Sequence, residues 1–269
     1  MDPRLANAKD FFAELTAELL ACLRFCTRLP IPALAFEKAP HEMPIGACAR
    51  MLPIAGAVIG TIAALVLWVA AKLGLPPSLA ALFGISCLVL LTGALHEDGL
   101  ADFADGTAGT TPEQRLAIMK DSRIGGFGTL ALILSSLARV LSVAIIAAHS
   151  LCLACWVLIA TAAVSRTLML LALHLLPPAR TEGAGFAAAA PQEPVLAIAA
   201  LIGFILGLLP LLAGAGIGRV AIGLILSIAA AYGVTALARR LLQGQTGDVA
   251  GATQQAAEIA AYLVYAAWL

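Results

Sequence analysis

Long uncharged stretches alternate with short polar ones along most of this chain, and their lengths set the first expectation. Residues 54–71 and 73–95 carry no charge, and each is long enough to cross about 30 Å of hydrocarbon. Lys72, Gly74, Pro76 and Pro77 mark the turn between them. Further apolar runs cover 127–148, interrupted by Arg139, and 151–175, which carries Arg166 and His174; residues 194–213 and 220–238 complete the set. The segment 259–269 is too short for an ordinary span. It is expected in the interface or against the bundle, with Tyr262, Tyr265 and Trp268 near the headgroups. At the other end the pattern is amphipathic. Phe11, Leu15, Leu19, Leu23 and Cys26 follow helical spacing while Asp10, Glu14, Glu18 and Arg24 fall elsewhere, which predicts a surface-lying helix over 8–28. The run Arg28-Leu29-Pro30-Ile31-Pro32 ends it, because proline cannot continue a helix, and a polar loop follows to about Arg50.

The predicted fold is therefore all-α: a polytopic membrane helix bundle of about six transmembrane helices plus an N-terminal interfacial amphipathic helix. It forms one integral-membrane domain over 1–269, divided into an N-terminal helix and loop (1–50) and the bundle (51–269). Composition agrees. The 269 residues are 61% hydrophobic and 12% charged, against about 25% charged in soluble domains. Net charge is formally zero, and no basic block points to nucleic acid. Cys22, Cys26, Cys48, Cys87, Cys152 and Cys155 sit mostly inside apolar helical patterns and read as small packing residues, not as a disulfide framework. The polar N-terminus, with Asp2, Arg4, Lys9 and Asp10, predicts no cleavable leader.

Positive charge orients the bundle. Arg4, Lys9, Arg24, Arg28, Lys38 and Arg50 precede the first span; Arg115, Lys120 and Arg123 follow the second; Arg180 follows the fourth; Arg239 and Arg240 follow the sixth. The opposite loops carry Lys72 and Arg219. The N-terminus and the polar segments after spans two, four and six are thus expected in the cytoplasm.

Those segments hold the candidate chemistry. In Leu95-His96-Glu97-Asp98-Gly99-Leu100-Ala101-Asp102-Phe103-Ala104-Asp105-Gly106, the aspartates fall at i, i+4 and i+7. On a helix this spacing puts three carboxylates on one face, and their repulsion calls for a cation such as Mg²⁺. A solvated acidic helix cap has the same composition. His96 precedes the acids and suits a general base or a ligand. Downstream, Lys120-Asp121-Ser122-Arg123-Ile124-Gly125-Gly126 combines cations, glycines and a helix start, a plausible phosphate cradle in which Asp121 joins the metal cluster. A basic juxtamembrane loop is the plainer alternative. Asp248, in Thr246-Gly247-Asp248, is the only acid between Glu193 and Glu258; a helix cap explains it equally well. Arg139 and Arg166, within apolar runs, are expected to face the interior and to pair with acids or hold phosphates.

The stretch from Thr92 to Gly106 resembles the signature of cobalamin synthases, the adenosylcobinamide-GDP ribazoletransferase family. Leu116–Gly125 resembles that family's second signature, Thr246-Gly247-Asp248 with Gly251-Ala252 its C-terminal motif, and Thr27-Arg28-Leu29-Pro30 its N-terminal one. Glu97 stands where the family often has an apolar residue, and Gly126 where threonine is usual. The resemblance implies an inner-membrane enzyme that uses Mg²⁺ to join adenosylcobinamide-GDP to α-ribazole or its 5′-phosphate, releasing GMP. Residues and resemblance together give Asp98, Asp102, Asp105 and Asp121 as metal ligands, with His96, Asp98 and Asp102 catalytic. Arg28, Lys120, Arg123, Gly125 and Asp248 would bind substrate and its phosphates. The expected partners are the two substrates, the lipid bilayer, and a second copy of the chain or other enzymes of the pathway. CDP-alcohol phosphotransferases and aromatic prenyltransferases also place aspartates at a cytoplasmic helix end. The first, however, have an Ala-Arg pair where this chain has Ala101-Asp102, and the second need two aspartate-rich motifs. A transporter would show internal repeats and midplane sites.

Overall fold

The computed structural model describes residues 3–34, 36–37 and 44–267, and within them the chain is helical with no strand. Lys38 and Trp268 lie outside the described residues. The first helix, α1 (Pro3–Cys26), docks its last turns on the bundle through the buried Cys22, Leu23 and Cys26. Arg50 ties it down, reaching Glu18 at 2.6 Å and Glu14 at 2.8 Å. A short helix, α2 (Ile45–Cys48), leads through a 3₁₀ turn into α3 (Leu52–Lys72). The bundle continues with α4 (Pro77–Thr92), α5 (Leu95–Gly106), α6 (Pro112–Ile118), α7 (Gly126–His149), α8 (Leu151–Leu168) and α9 (Leu170–Leu175). It closes with α10 (Ala184–Ala188), α11 (Glu193–Gly207), α12 (Ile217–Leu242) and α13 (Gly247–Ala267). Pro53, Pro77, Pro112 and Pro194 each stand in a first helical turn, where no N–H partner is lost.

Five helical segments among the described residues are long and apolar enough to cross a membrane, and the pair α4–α5 makes a sixth if its two arms count as one. The expected multi-pass bundle is present. Two details differ from the sequence reading. The second span ends at Thr92 and not at Leu95, because Gly93 and Ala94 are both left-handed (φ 61° and 59°) and the axis turns by 85°. Gly93 is required there: a Cβ would fall 2.7 Å from Arg28 Cγ. The acidic stretch is therefore a separate helix turned away from the span.

The second difference is α13. The segment expected in the interface or against the bundle takes the second place, but as the end of a longer helix of 21 residues, about 31 Å long. It packs beside α12, α5, α8 and α7 and runs antiparallel to α12. Ser227 Oγ donates to Ala257 O at 3.0 Å near its middle, and Gly223 lies against the Tyr265 ring further along. Tyr262 is fully buried, away from any headgroup. The hydropathy pattern concealed this helix because its inward face is polar: Thr253, Gln254, Gln255 and Glu258 are each at most 2% exposed.

Candidate functional site

The polar faces of α5 and α13 meet at a crossing of two glycines. A Cβ on Gly99 would stand 2.9 Å from Asp248 O and 3.0 Å from Asp248 Cα; one on Gly251 would stand 3.3 Å from the Cα atoms of Gly99 and His96. No other residue permits backbones this close, and the contact sets Asp98 and Asp102 of α5 beside Asp248 of α13. Thr246 caps α13, its Oγ1 accepting from Val249 N at 3.3 Å. Asp248, in the first turn, is thereby left to face the α5 acids.

The carboxylates feel one another. Asp102 is raised from an ordinary 3.8 to about 6, first by burial and then by the charges of Asp98, Asp248 and Asp105. Burial also raises Asp248, against the pull of Arg180 and the Thr246 hydroxyl. Arg180 lies 3.6 Å from Asp248 Oδ2 and donates to Leu116 O at 2.8 Å. It is held there because the segment before it makes an isolated parallel bridge, Pro178 beside Gln245: Ala179 N donates to Gln245 O and Gln245 N to Pro177 O, both at 2.8 Å. The sequence offered Arg180 only as a topological charge, since a pairing between such distant segments leaves no local signal.

The other expected site residues are placed differently. Asp105 uses both carboxylate oxygens as a cap for α7, accepting from Gly125 N at 2.7 Å and Gly128 N at 2.8 Å. The helix start read as a phosphate cradle is thus already occupied by the protein's own anion, with Gly125 as one donor. Asp121 is exposed and paired with Arg123 at 2.7 Å, a contact that holds its carboxyl down at about 2. Of the four aspartates read as metal ligands, then, Asp98 and Asp102 come together with Asp248, while Asp105 is a helix cap and Asp121 belongs to a local ion pair. Among the described residues, no three His, Cys, Asp or Glu side chains are gathered as a ready-made metal cage. Arg123, Asp121, Gly125 and Gly126 border an open depression of about 500 Å³ beside Asp105. Lys120 is exposed near it in sequence. Arg28 lies over Gly93 at the α4–α5 bend and lines a surface pocket with Leu29, Phe83 and Leu90.

Beneath the acids lies a buried polar network. Arg139, 1% exposed, donates to Glu97 at 2.7 Å and reaches Glu258 at 3.4 Å. Gln255 donates to Glu97 at 3.2 Å and to Gln254 Oε1 at 2.9 Å. Gln254 donates in turn to Glu258 at 2.7 Å and Ser165 Oγ at 2.9 Å. This network gives Glu97 its role: it neutralises Arg139 and joins α5 to α7 and α13. Arg166 is buried on α8 and donates to Ala162 O at 3.1 Å. His96 is 3% exposed and lines a cavity of about 80 Å³ that opens beside Asp98 and Asp248.

This arrangement joins a carboxylate cluster, a tethered arginine and an enclosed apolar cavity at one end of the bundle. It suits transfer chemistry on a charged, partly apolar substrate. Comparison with known proteins bears on which transfer. The family model described as cobalamin-5-phosphate synthase matches residues 18–266. The adenosylcobinamide-GDP ribazoletransferase of Azorhizobium caulinodans is 44% identical over 258 residues, covering 94% of this chain and 98% of that protein. The protein of the same name from Xanthobacter autotrophicus is 45% identical, covering 91% and 94%, and that of Brucella ovis 39% identical, covering 93% and 96%. No solved structure matches the chain.

Proposed function

The chain belongs to the cobalamin-5-phosphate synthase family, and from that premise we propose how it works: it transfers the adenosylcobinamide phosphate moiety of adenosylcobinamide-GDP to α-ribazole or its 5′-phosphate. The products are adenosylcobalamin or its 5′-phosphate, and GMP. The observation that carries the residue assignment is the convergence of Asp98, Asp102 and Asp248 at the Gly99–Gly251 crossing.

In this reading the ribose hydroxyl of the acceptor attacks the phosphorus attached to the corrinoid arm, and the bond to the GMP oxygen breaks. Asp102, raised to about 6 by burial and then by its neighbours, takes the hydroxyl proton on a carboxylate oxygen. Arg180 exchanges its long contact with Asp248 for the diphosphate, and Arg123 and Lys120 steady the phosphates from the exposed loop. The polar network around Arg139 fixes α5 against α13, so that the carboxylates hold their positions during transfer.

Mg²⁺ fits this donor set. Asp102 and Asp248 are both raised, by burial first and then by neighbouring carboxylates, and among the described residues Arg180 is the one cation set against them; Mg²⁺ commonly binds through one or two carboxylates and the substrate's own phosphates, keeping waters elsewhere. Asp98, Asp102 and Asp248 would hold it, and it would neutralise charge on the diphosphate as GMP leaves. The concentration of Arg115, Lys120, Arg123, Arg239 and Arg240 in segments at this end of the bundle supports a site on the cytoplasmic face of the inner membrane.

The test is a transfer assay on the full chain in liposomes, supplied with adenosylcobinamide-GDP and α-ribazole 5′-phosphate with and without Mg²⁺. Metal-dependent GMP release with equal corrinoid product is the expected result. Turnover by Asp102→Asn at the wild-type rate with the same Mg²⁺ dependence would remove the metal assignment.

A further inference from the structure

The reaction explains the carboxylates but not the cavity behind them. Its walls come from six places along the chain. They include Phe25 of α1, Ile45 of α2, Leu95 of α5, and Met169 and Leu173 at the α8–α9 junction, with Ala188 and Ala250 completing them. Asp98 and Asp248 also line it, so it is continuous with the acidic cluster. Its volume of about 80 Å³ holds about six waters. Among the described residues that line it, His96 alone carries a fully buried polar side-chain atom without a hydrogen-bond partner, its Nε2.

From these walls we infer that the cavity is the recognition pocket for the acceptor's base: a flat, fused two-ring aromatic system with alkyl substituents and a single ring-nitrogen lone pair. The inference rests on the transfer reaction proposed above. Size excludes a corrin macrocycle. Polarity disfavours guanine deep in the cavity: its several donors and acceptors would find side-chain partners only at His96 and at Asp98 and Asp248, and none on the walls of Phe, Ile, Leu, Met and Ala. An alkylated bicyclic base instead buries its apolar edges on those walls and presents one acceptor. Nε2 of His96, carrying its proton, supplies the matching donor. With the base seated there, the attached ribose lies at the mouth, where Asp98 and Asp248 stand. His96 then acts as a substrate-binding residue that orients the nucleoside, and Ala250 sets the depth available to the alkyl groups.

The experiment uses purified full-length protein and measures KM for each substrate, together with equilibrium binding of α-ribazole. Ala250→Leu fills the cavity and is expected to raise the acceptor KM at least tenfold while the donor KM does not move. The penalty is smaller for the riboside of unmethylated benzimidazole, so base preference shifts toward the smaller ring. His96→Ala is expected to raise the acceptor KM about tenfold, and His96→Gln, which keeps an N–H donor, to recover most of it. A merely structural role for His96 would not discriminate between Ala and Gln by acceptor KM alone. Should Ala250→Leu fail to fold, as judged by its melting temperature, Ala188→Leu fills the cavity from α10. A rise in donor KM alone, or no change in either KM, overturns the pocket assignment while leaving the transfer reaction intact. Absence of wild-type turnover overturns the transfer reaction. In that case α-ribazole binding that Ala250→Leu weakens still supports the pocket, and binding indifferent to that substitution, or displaced equally by any acyl-chain detergent, overturns it.

Discussion

Replacing Asp102 by asparagine is expected to stabilise the protein while stopping turnover. The carboxyl of Asp102 is raised from 3.8 to about 6 in the folded chain, by burial and by Asp98, Asp248 and Asp105 in that order. A carboxyl raised in the folded state favours folding while it stays protonated. That contribution is complete below about pH 4 and is lost as pH rises through about 6. Above pH 6 the folded protein holds an anion it would rather not hold. A shift of about two units corresponds to a ceiling of about 3 kcal/mol at 1.36 kcal/mol per unit. The side chain is partly exposed, and solvent screening reduces this to about 1 kcal/mol. Asparagine removes the charge without changing the shape. The variant should therefore melt about 2–4 °C above wild type at pH 8, and the gap should shrink as pH falls through about 6 and close below about pH 4. Thermal melting of detergent-solubilised protein at a series of pH values reads this directly, and added Mg²⁺ should narrow the gap at pH 8 by stabilising wild type alone. A variant that melts below wild type at pH 8, or above it by the same amount at both ends of that pH range, would refute the view that the Asp102 anion is held in the fold against burial and neighbouring charge.

Three other outcomes follow from the geometry. Gly99→Ala places a Cβ 2.9 Å from the Asp248 carbonyl oxygen, a backbone atom that cannot step aside; it should cost about 1–3 kcal/mol and abolish GMP release, measured by melting and by the transfer assay. Arg139→Met strands Glu97 and Glu258 without their cation and should cost about 3–5 kcal/mol, part of which Glu97→Gln restores in the double variant. Asp105→Ala frees the amides of Gly125 and Gly128; a loss of about 1–2 kcal/mol and faster hydrogen exchange at those amides are expected, whereas unchanged exchange would mean that the cap does not hold α7.

Hydropathy made the apolar spans legible because one side of each faces lipid or other apolar side chains: Leu90 and Leu134 remain exposed on the surface, while Leu67 and Ile146 are buried. It failed at α13 for the converse reason. A helix surrounded by other helices needs no apolar coat, and Gln254, Gln255 and Glu258 pair with one another and with Arg139 instead. The aspartate spacing correctly marked one helical face, but spacing does not say what stands opposite it. Asp98 and Asp102 meet α13, whereas Asp105, a turn further on, meets the open end of α7. The partners Asp248 and Arg180 arrive through contacts over a hundred and about seventy residues away in sequence, respectively, and only the fold reveals them.

The polar inner face of α13 also constrains how the protein is made. A helix carrying Gln254, Gln255 and Glu258 on one side enters bare hydrocarbon at a considerable cost. Its partners for those groups are Glu97, Arg139 and Ser165, all of which precede it in the chain and leave the ribosome first. The order of synthesis thus lets the apolar helices assemble around a waiting polar slot, and α13 fills it afterwards. Until it does, Arg139 has only Glu97 for company and Asp98 and Asp102 have no Asp248 beside them. The grouping of Asp98, Asp102 and Asp248 comes into being only when α13 docks, so the site is completed by the last helix of the fold.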